Sequence, residues 1–417
     1  MVDAQSLRGI RVIDLTRSIA GPWATRMLAD AGAEVIKIEP PTGDFIRQLP
    51  ARMGEFSSGY FLQANAGKKS LCLDLQSDRG FAVLMSLVPH CDVVVHNMRP
   101  NAARRLGLTA ERVHASNPDA VFCHINGYGA DSPYVGKPGQ DLAVQCMTGI
   151  AELTGVRSGP PAIAIWSLVD TLTSAYAFLA ICAALHARSE RGLKNIDVEV
   201  MMSQCCALLH DLGPHIMSSF PGVRIERAGQ FHPFLVVRGV VQLRDGVIAV
   251  SAFRNRHWTK LAPLLGLDAR ESMAFETRLS LKDEIESRLI ARLEGLTVEG
   301  ALSLLRAAEV PATQAPESLE EVSQLGGFQQ RGMLVEAFGG ALLAGSMLHK
   351  ENCAKSLQGG APKLGSAAFD VLHGMLEMSG PEILELLAQG IINGEPDAVE
   401  ELVVNASHIG MRAEGVA

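Results

Sequence analysis

Short apolar runs alternating with helix-like segments over residues 9–125 constrain this chain more than any other feature. Residues 9–15 (Gly-Ile-Arg-Val-Ile-Asp-Leu) read as a buried strand. Residues 20–32 read as a helix, with Pro22 in its first turn and Gly32 as its stop. Residues 34–39 (Glu-Val-Ile-Lys-Ile-Glu) read as a second strand. Strand, helix, strand in that order requires a parallel pair with a right-handed crossover. The pattern repeats with strands at 70–74, 92–96 and 120–125 and a helix at about 77–88. A doubly wound α/β domain follows. The turn after the first strand, Thr16 to Pro22, lacks GxGxxG, so a nicotinamide or flavin enzyme is not expected.

Residues 163–185 are apolar almost without a break, and Asp170 sits among them. A buried carboxylate is costly unless it is paired, hydrogen-bonded or protonated. Asp170 either N-caps the helix that follows or acts as a catalytic carboxylate. The two roles are compatible, because a helix N-terminus both stabilises an anion and holds it in place. A membrane span needs roughly 20 apolar residues. Asp170, Thr171, Thr173 and Ser174 interrupt the run, which reads as a core helix of a large soluble domain.

The chain has 417 residues, enough for two or three domains, and is 47% hydrophobic. A net charge of −8 argues against nucleic acid as a partner. None of the eight cysteines forms a CxxC pair and most lie in apolar runs, so reduced thiols in the cytoplasm are expected. The segment Met-Val-Asp-Ala-Gln-Ser at residues 1–6 lacks an apolar core, and no signal peptide is expected.

Further along, residues 196–200 read as a strand leading into a helix over 202–209. Turn residues dominate 221–231, then two apolar runs flank Asp245-Gly246 as a hairpin. Amphipathic helices follow at 282–296 and 298–308. The expected division is a large domain over 1–222, a smaller α/β domain with linkers over 223–330, and a return to the large domain over 331–417.

Two basic loops stand out. Asn65 to Ser70 carries Lys68 and Lys69 beside a glycine, without Walker A spacing. His96 to Pro100 carries Arg99 at the end of a strand, with Arg104 and Arg105 one turn on. Each is a solvated surface or a phosphate grip, and two on one sheet edge suggest a polyphosphate ligand. Asp141, after Lys137 and Gln140, reads as the N-cap of a helix over 142–149. His210 and His215 stand too far apart for a metal site, Ser167 has no GxSxG context, and no metal is expected.

Together these residues resemble the family III CoA-transferases, the group that includes formyl-CoA transferase and carnitine CoA-transferase. The landmarks are residues 9–16, 20–22 and 32–44, Gly67 to Ser70, Asn97 to Pro100, Arg105 to Gly107, Asp170, Asp245-Gly246 and Pro362 to Gly365. The resemblance implies a Rossmann-like large domain, a small domain on long linkers, and an interlocked homodimer. It implies that Asp170 is the nucleophile, passing through an anhydride and an aspartyl-CoA thioester. It implies that coenzyme A is held by Asn65, Lys68, Lys69, Asn97, Met98, Arg99, Arg105, Lys137 and Gln140, with an acyl-CoA and a carboxylic acid as substrates; the charge and the interrupted apolar run add the expectation of no nucleic-acid or membrane partner. The chain departs from the family's usual Gly at Ser174 and from formyl-CoA transferase at Ile19 and Pro40, and has no counterpart of the latter's Gly-rich loop near 251–257. Formate and oxalate are therefore not the expected substrates. The α-methylacyl-CoA racemases are related, but their base histidine is Gln140 here. A racemase, or a CoA-binding subunit of little activity, is the alternative.

Overall fold

The structure is a computed structural model that describes residues 5–50, 58–210, 213–219, 225–325, 327–345 and 350–414. Residues 1–4, on which the signal-peptide expectation bears, and the expected boundary at 222 lie outside these ranges. The chain forms two compact units, Met1–Val144 with Ile165–Leu209 and Gly327–Ala417, and Gln145–Ala164 with His210–Gly326.

Six strands of the first unit run parallel: β1 (Arg11–Leu15), β2 (Glu34–Glu39), β3 (Lys69–Leu73), β4 (Val93–His96), β5 (Val121–Asn126) and β6 (Asp197–Met201). Alternation along each strand sends successive side chains to opposite faces. Ile13, Ile36, Leu71 and Val94 pack on one face with Phe81 and Leu84 of the Asp78–Leu87 helix. Val12, Val35, Val93 and Val121 pack on the other with Leu28 of the Ala20–Asp30 helix and Phe178 and Ile181 of the Leu168–Arg191 helix. The latter helix is long and apolar enough to cross a membrane by length and composition. Ala177, Ile181 and Ala184 of its buried stripe lie in this core.

The second unit is built on an antiparallel sheet of β7 (Arg238–Leu243), β8 (Gly246–Ser251) and β9 (Ala312–Ala315). Leu243 pairs with Gly246, so Arg244 and Asp245 form the hairpin turn, and Asp245 accepts from Val298 N at the start of the Val298–Ala307 helix, which Thr297 caps. Trp258, Leu289, Ile248 and Val250 fill its core. Residues 145–164, expected in the large domain, belong here. Arg227 donates to the carbonyls of Glu152 and Gly159, and His210 meets Thr148 O at 2.6 Å. These contacts join residues more than 60 apart in the chain, which a boundary drawn from composition cannot register.

The chain is back in the first unit from Gly327, with β10 (Leu334–Glu336) paired to β11 (Leu342–Ala344). A final strand, β12 (Ile392–Asn393), runs antiparallel on β3. The large sheet has the order β12-β3-β2-β1-β4-β5-β6. Strand order reverses between β1 and β4, and in open α/β sheets ligands bind outside the carboxyl ends of the strands at that point.

Candidate active site

A cavity of about 460 Å³ opens there, wholly within the first unit. Ser18 and Ala20 after β1, Asn97 to Pro100 after β4, and Asn126 to Gly129 after β5 form three of its walls. Lys137 to Leu142, Phe45, Met202 and Asp170 complete it. The 127–140 segment is folded tightly on itself. A Cβ on Gly127 would lie 2.6 Å from the Gly139 Cα, so only glycines permit that approach. Tyr128 donates to Pro138 O, and the Lys137 ammonium stands 4.7 Å from the Tyr134 ring centroid.

Asp170 is not the helix cap. The helix begins at Leu168, after Ser167 in a left-handed conformation, and Asp170 is its third residue. The cap comes from Asp141, which was expected to cap its own helix. That helix spans Asp141–Met147, and the Asp141 carboxylate accepts from Val169 N at 2.7 Å and Asp170 N at 3.1 Å. One carboxylate thus satisfies the main-chain donors of the turn and leaves the other for the cavity. The Asp170 carboxylate accepts no hydrogen bond among the described residues. Its pKa is pushed up to about 6, first by burial and then by the Asp141 charge. Asp141 was missed as a partner because its effect crosses 29 residues; the acid beside Gln140 was its only sign in the sequence.

A pH dependence follows. Asp170 ionises near 6, so below that pH a step that needs its carboxylate slows about tenfold per unit, and above it the rate is level. The kcat/KM profile for an acyl-CoA is expected to show that acid limb. In Asp141→Asn the limb moves to lower pH but stays above the ordinary aspartate range, because burial is the larger cause. For stability the sign is opposite. The folded state holds this proton more tightly than the unfolded chain, so ionised Asp170 is a cost above pH 6 that is relieved as pH falls.

Of the residues singled out in the sequence, Asn97, Met98, Arg99, Lys137, Gln140 and Asp170 line the cavity. Asn97 spends its amide on the neighbouring turn, accepting from Arg17 N at 2.9 Å and donating to Arg17 O at 2.7 Å. Gln140 is an amide, not a base. Arg99 and Lys137 make no ion pair among the described residues. Asn65, Lys68, Lys69 and Arg105 do not line the cavity. Asn65 and Lys68 precede β3 and Lys69 is its first residue, so all three lie at its amino end, not at the expected carboxyl edge. Lys68 is buried, with its ammonium on Asp14 (2.9 Å), Pro22 O, Thr25 Oγ1 and Asn65 Oδ1. Lys69 pairs with Glu34 at 2.8 Å, and Arg105 is exposed on the Pro100–Leu106 helix. Among the described residues no group of three His, Cys, Asp or Glu side chains could hold a metal ion.

The sequence profile described as CoA-transferase family III matches residues 7–367. The chain belongs to CoA-transferase family III. A succinate–glutarate CoA-transferase from Agrobacterium fabrum is 33% identical over 353 residues, covering 81% of this chain and 87% of that protein. A succinyl-CoA:mesaconate CoA-transferase from Haloarcula marismortui is 31% identical, covering 74% and 79%. An acetyl-CoA:oxalate CoA-transferase from Acetobacter aceti is 31% identical, covering 81% and 87%. Among solved structures, a hypothetical protein from Mycobacterium tuberculosis superimposes with a TM-score of 0.73 at 26% identity, covering 86% of this chain and 97% of that one. Membership in family III makes this chain a CoA-transferase, with acyl-CoA as the substrate class.

Proposed function

We propose that the enzyme moves CoA from an acyl-CoA donor to a carboxylic acid, with Asp170 as nucleophile. The observation that carries this reading is the free Asp170 carboxylate, half-buried, titrating at about 6, in a cavity that also presents Arg99 and Lys137. A carboxylate ionised at neutral pH needs no general base. It attacks the thioester carbonyl, the C–S bond breaks, and CoA leaves as thiolate from a mixed anhydride. The thiolate then attacks the aspartyl carbonyl, releases the donor acid as its carboxylate, and leaves an aspartyl-CoA thioester. The acceptor carboxylate attacks this thioester and the sequence runs in reverse, regenerating Asp170. No net proton moves, in keeping with the lack of a second base at Gln140.

Arg99 and Lys137 are proposed to hold the CoA phosphates, with Asn97, Met98 and Gln140 shaping the walls and exposed Arg105 reaching the outer part of the ligand. Arg99→Ala is expected to weaken CoA binding by about 1.5–3 kcal/mol, at least roughly tenfold in Kd by calorimetry, with the fold unchanged. The three named relatives act on short dicarboxylates, and we take a short dicarboxylic acid as the acceptor class. Mass spectrometry of CoA esters formed from a panel of acyl-CoA donors and mono- and dicarboxylic acids tests this. Hydrolysis without transfer, across the panel, would refute it.

The chain is further proposed to act as an interlocked homodimer in the cytoplasm. The first unit leaves Trp166 (75%), Leu179 (57%) and Leu208 (60%) exposed, and none of the eight cysteines is in a disulfide. Light scattering at micromolar concentration is expected to give twice the 44.6 kDa chain mass. A monomer would dispose of the interlocked arrangement.

A further inference from the structure

Behind the cavity wall lies a set of buried charges that the reaction above does not use. Lys37 and Asp44 are fully buried and 3.1 Å apart. The Lys37 ammonium also donates to Thr16 O at 2.8 Å, and Asp44 Oδ1 accepts from Ser18 N at 3.4 Å. One layer back, Asp14 accepts from Thr16 N and from the Thr16 hydroxyl, and is itself held by Lys68 and Thr25. From the β4 side Asn97 grips both main-chain groups of Arg17. Every main-chain N–H of Thr16, Arg17 and Ser18, and the carbonyls of the first two, is therefore held by a side chain.

What this set holds is a strained turn. Ser18 has φ +70°, the left-handed region that a non-glycine residue keeps only where its surroundings impose it, and Ser18 lines the cavity. The turn continues to Ala20, whose carbonyl lies 2.7 Å from the Ser174 hydroxyl, and that hydroxyl is also 2.7 Å from Asp170 O. The turn and the helix bearing Asp170 are joined at that point. A buried ion pair is weak evidence for stability, since an apolar pair of similar volume often serves as well. Its directional bonds to Thr16 and Ser18 are what an apolar pair could not supply.

We propose that Lys37 and Asp44 are positioning residues of the transfer reaction, fixing the Thr16–Ser18 turn in the wall that faces Asp170. This rests on the reading of Asp170 as nucleophile. The test is the double variant Lys37→Met/Asp44→Leu, which removes both charges together and leaves neither buried alone. Its thermal midpoint is expected to fall, because Thr16 O, Ser18 N and Ile46 N lose side-chain partners, while the protein stays folded at assay temperature. Its kcat, and its rate of adduct formation at saturating acyl-CoA, are expected to fall about ten- to a hundredfold, the scale of a small misplacement near reacting groups. KM for the acyl-CoA is expected to stay within about twofold. Asp44→Asn keeps an acceptor for Ser18 N and is expected to lose about three- to tenfold in kcat. A folded double variant with wild-type adduct formation overturns the proposal while leaving Asp170 in place. If the double variant does not fold, Asp44→Asn decides, and unchanged kcat overturns the proposal. A wild-type enzyme that never forms the Asp170 adduct removes both readings.

Discussion

Asp170→Asn is expected to give a folded protein that turns over at least about a thousandfold more slowly than the wild type and takes up no covalent adduct. The fold survives because the main-chain donors of this helix turn are satisfied by Asp141, not by the side chain being replaced. The amide is isosteric and nearly without nucleophilicity, and it relieves the repulsion from Asp141 that raises the wild-type carboxylate. Wild-type enzyme incubated with an acyl-CoA and no acceptor is expected to show an intact-mass increase. Hydroxylamine should discharge it and borohydride should fix it at Asp170. Asp141→Asn keeps an acceptor for both amides and still forms the adduct. Near-normal turnover in folded Asp170→Asn would leave Asp170 an acid in a helix turn and nothing more.

Lys68→Ala is expected to cost about 3–5 kcal/mol of stability in urea denaturation, because it leaves Asp14 buried without its cation. CoA affinity of the folded fraction is expected to be unchanged. This is the opposite of the effect expected for Arg99→Ala, which weakens the ligand and spares the fold. The contrast separates two lysine- and arginine-bearing loops that look alike as sequence. Weaker CoA binding by Lys68→Ala with undiminished stability would return Lys68 to the phosphate-binding group.

The alternation of short apolar runs with helical segments over residues 9–125 was sufficient to establish the parallel strands, because runs buried along nearly their whole length and a helix stop such as Gly32 are local properties of the chain. The hairpin around Asp245 was legible for the same reason. Asp170 stood out because a charge in an apolar run is costly wherever that run folds. The part each charge plays was not legible. Lys68 and Arg99 both stand in short polar loops, but Lys68 comes before β3 and Arg99 after β4, so in a parallel sheet they lie at opposite edges, and the packing then buries one on Asp14 while the other lines the cavity. Asp141 and Asp170 each read as a helix cap, and only the approach of the two helices makes Asp141 the cap of both Val169 and Asp170. The membership of residues 145–164 in the second unit was hidden likewise, since it depends on Arg227 and His210 reaching carbonyls far back in the chain. Local spacing therefore determined which segments become strands and helices and where a costly charge must have a use. The tertiary structure alone decided which charge neutralises which, because electrostatic partners are chosen by distance in space, and the sheet's crossovers set those distances.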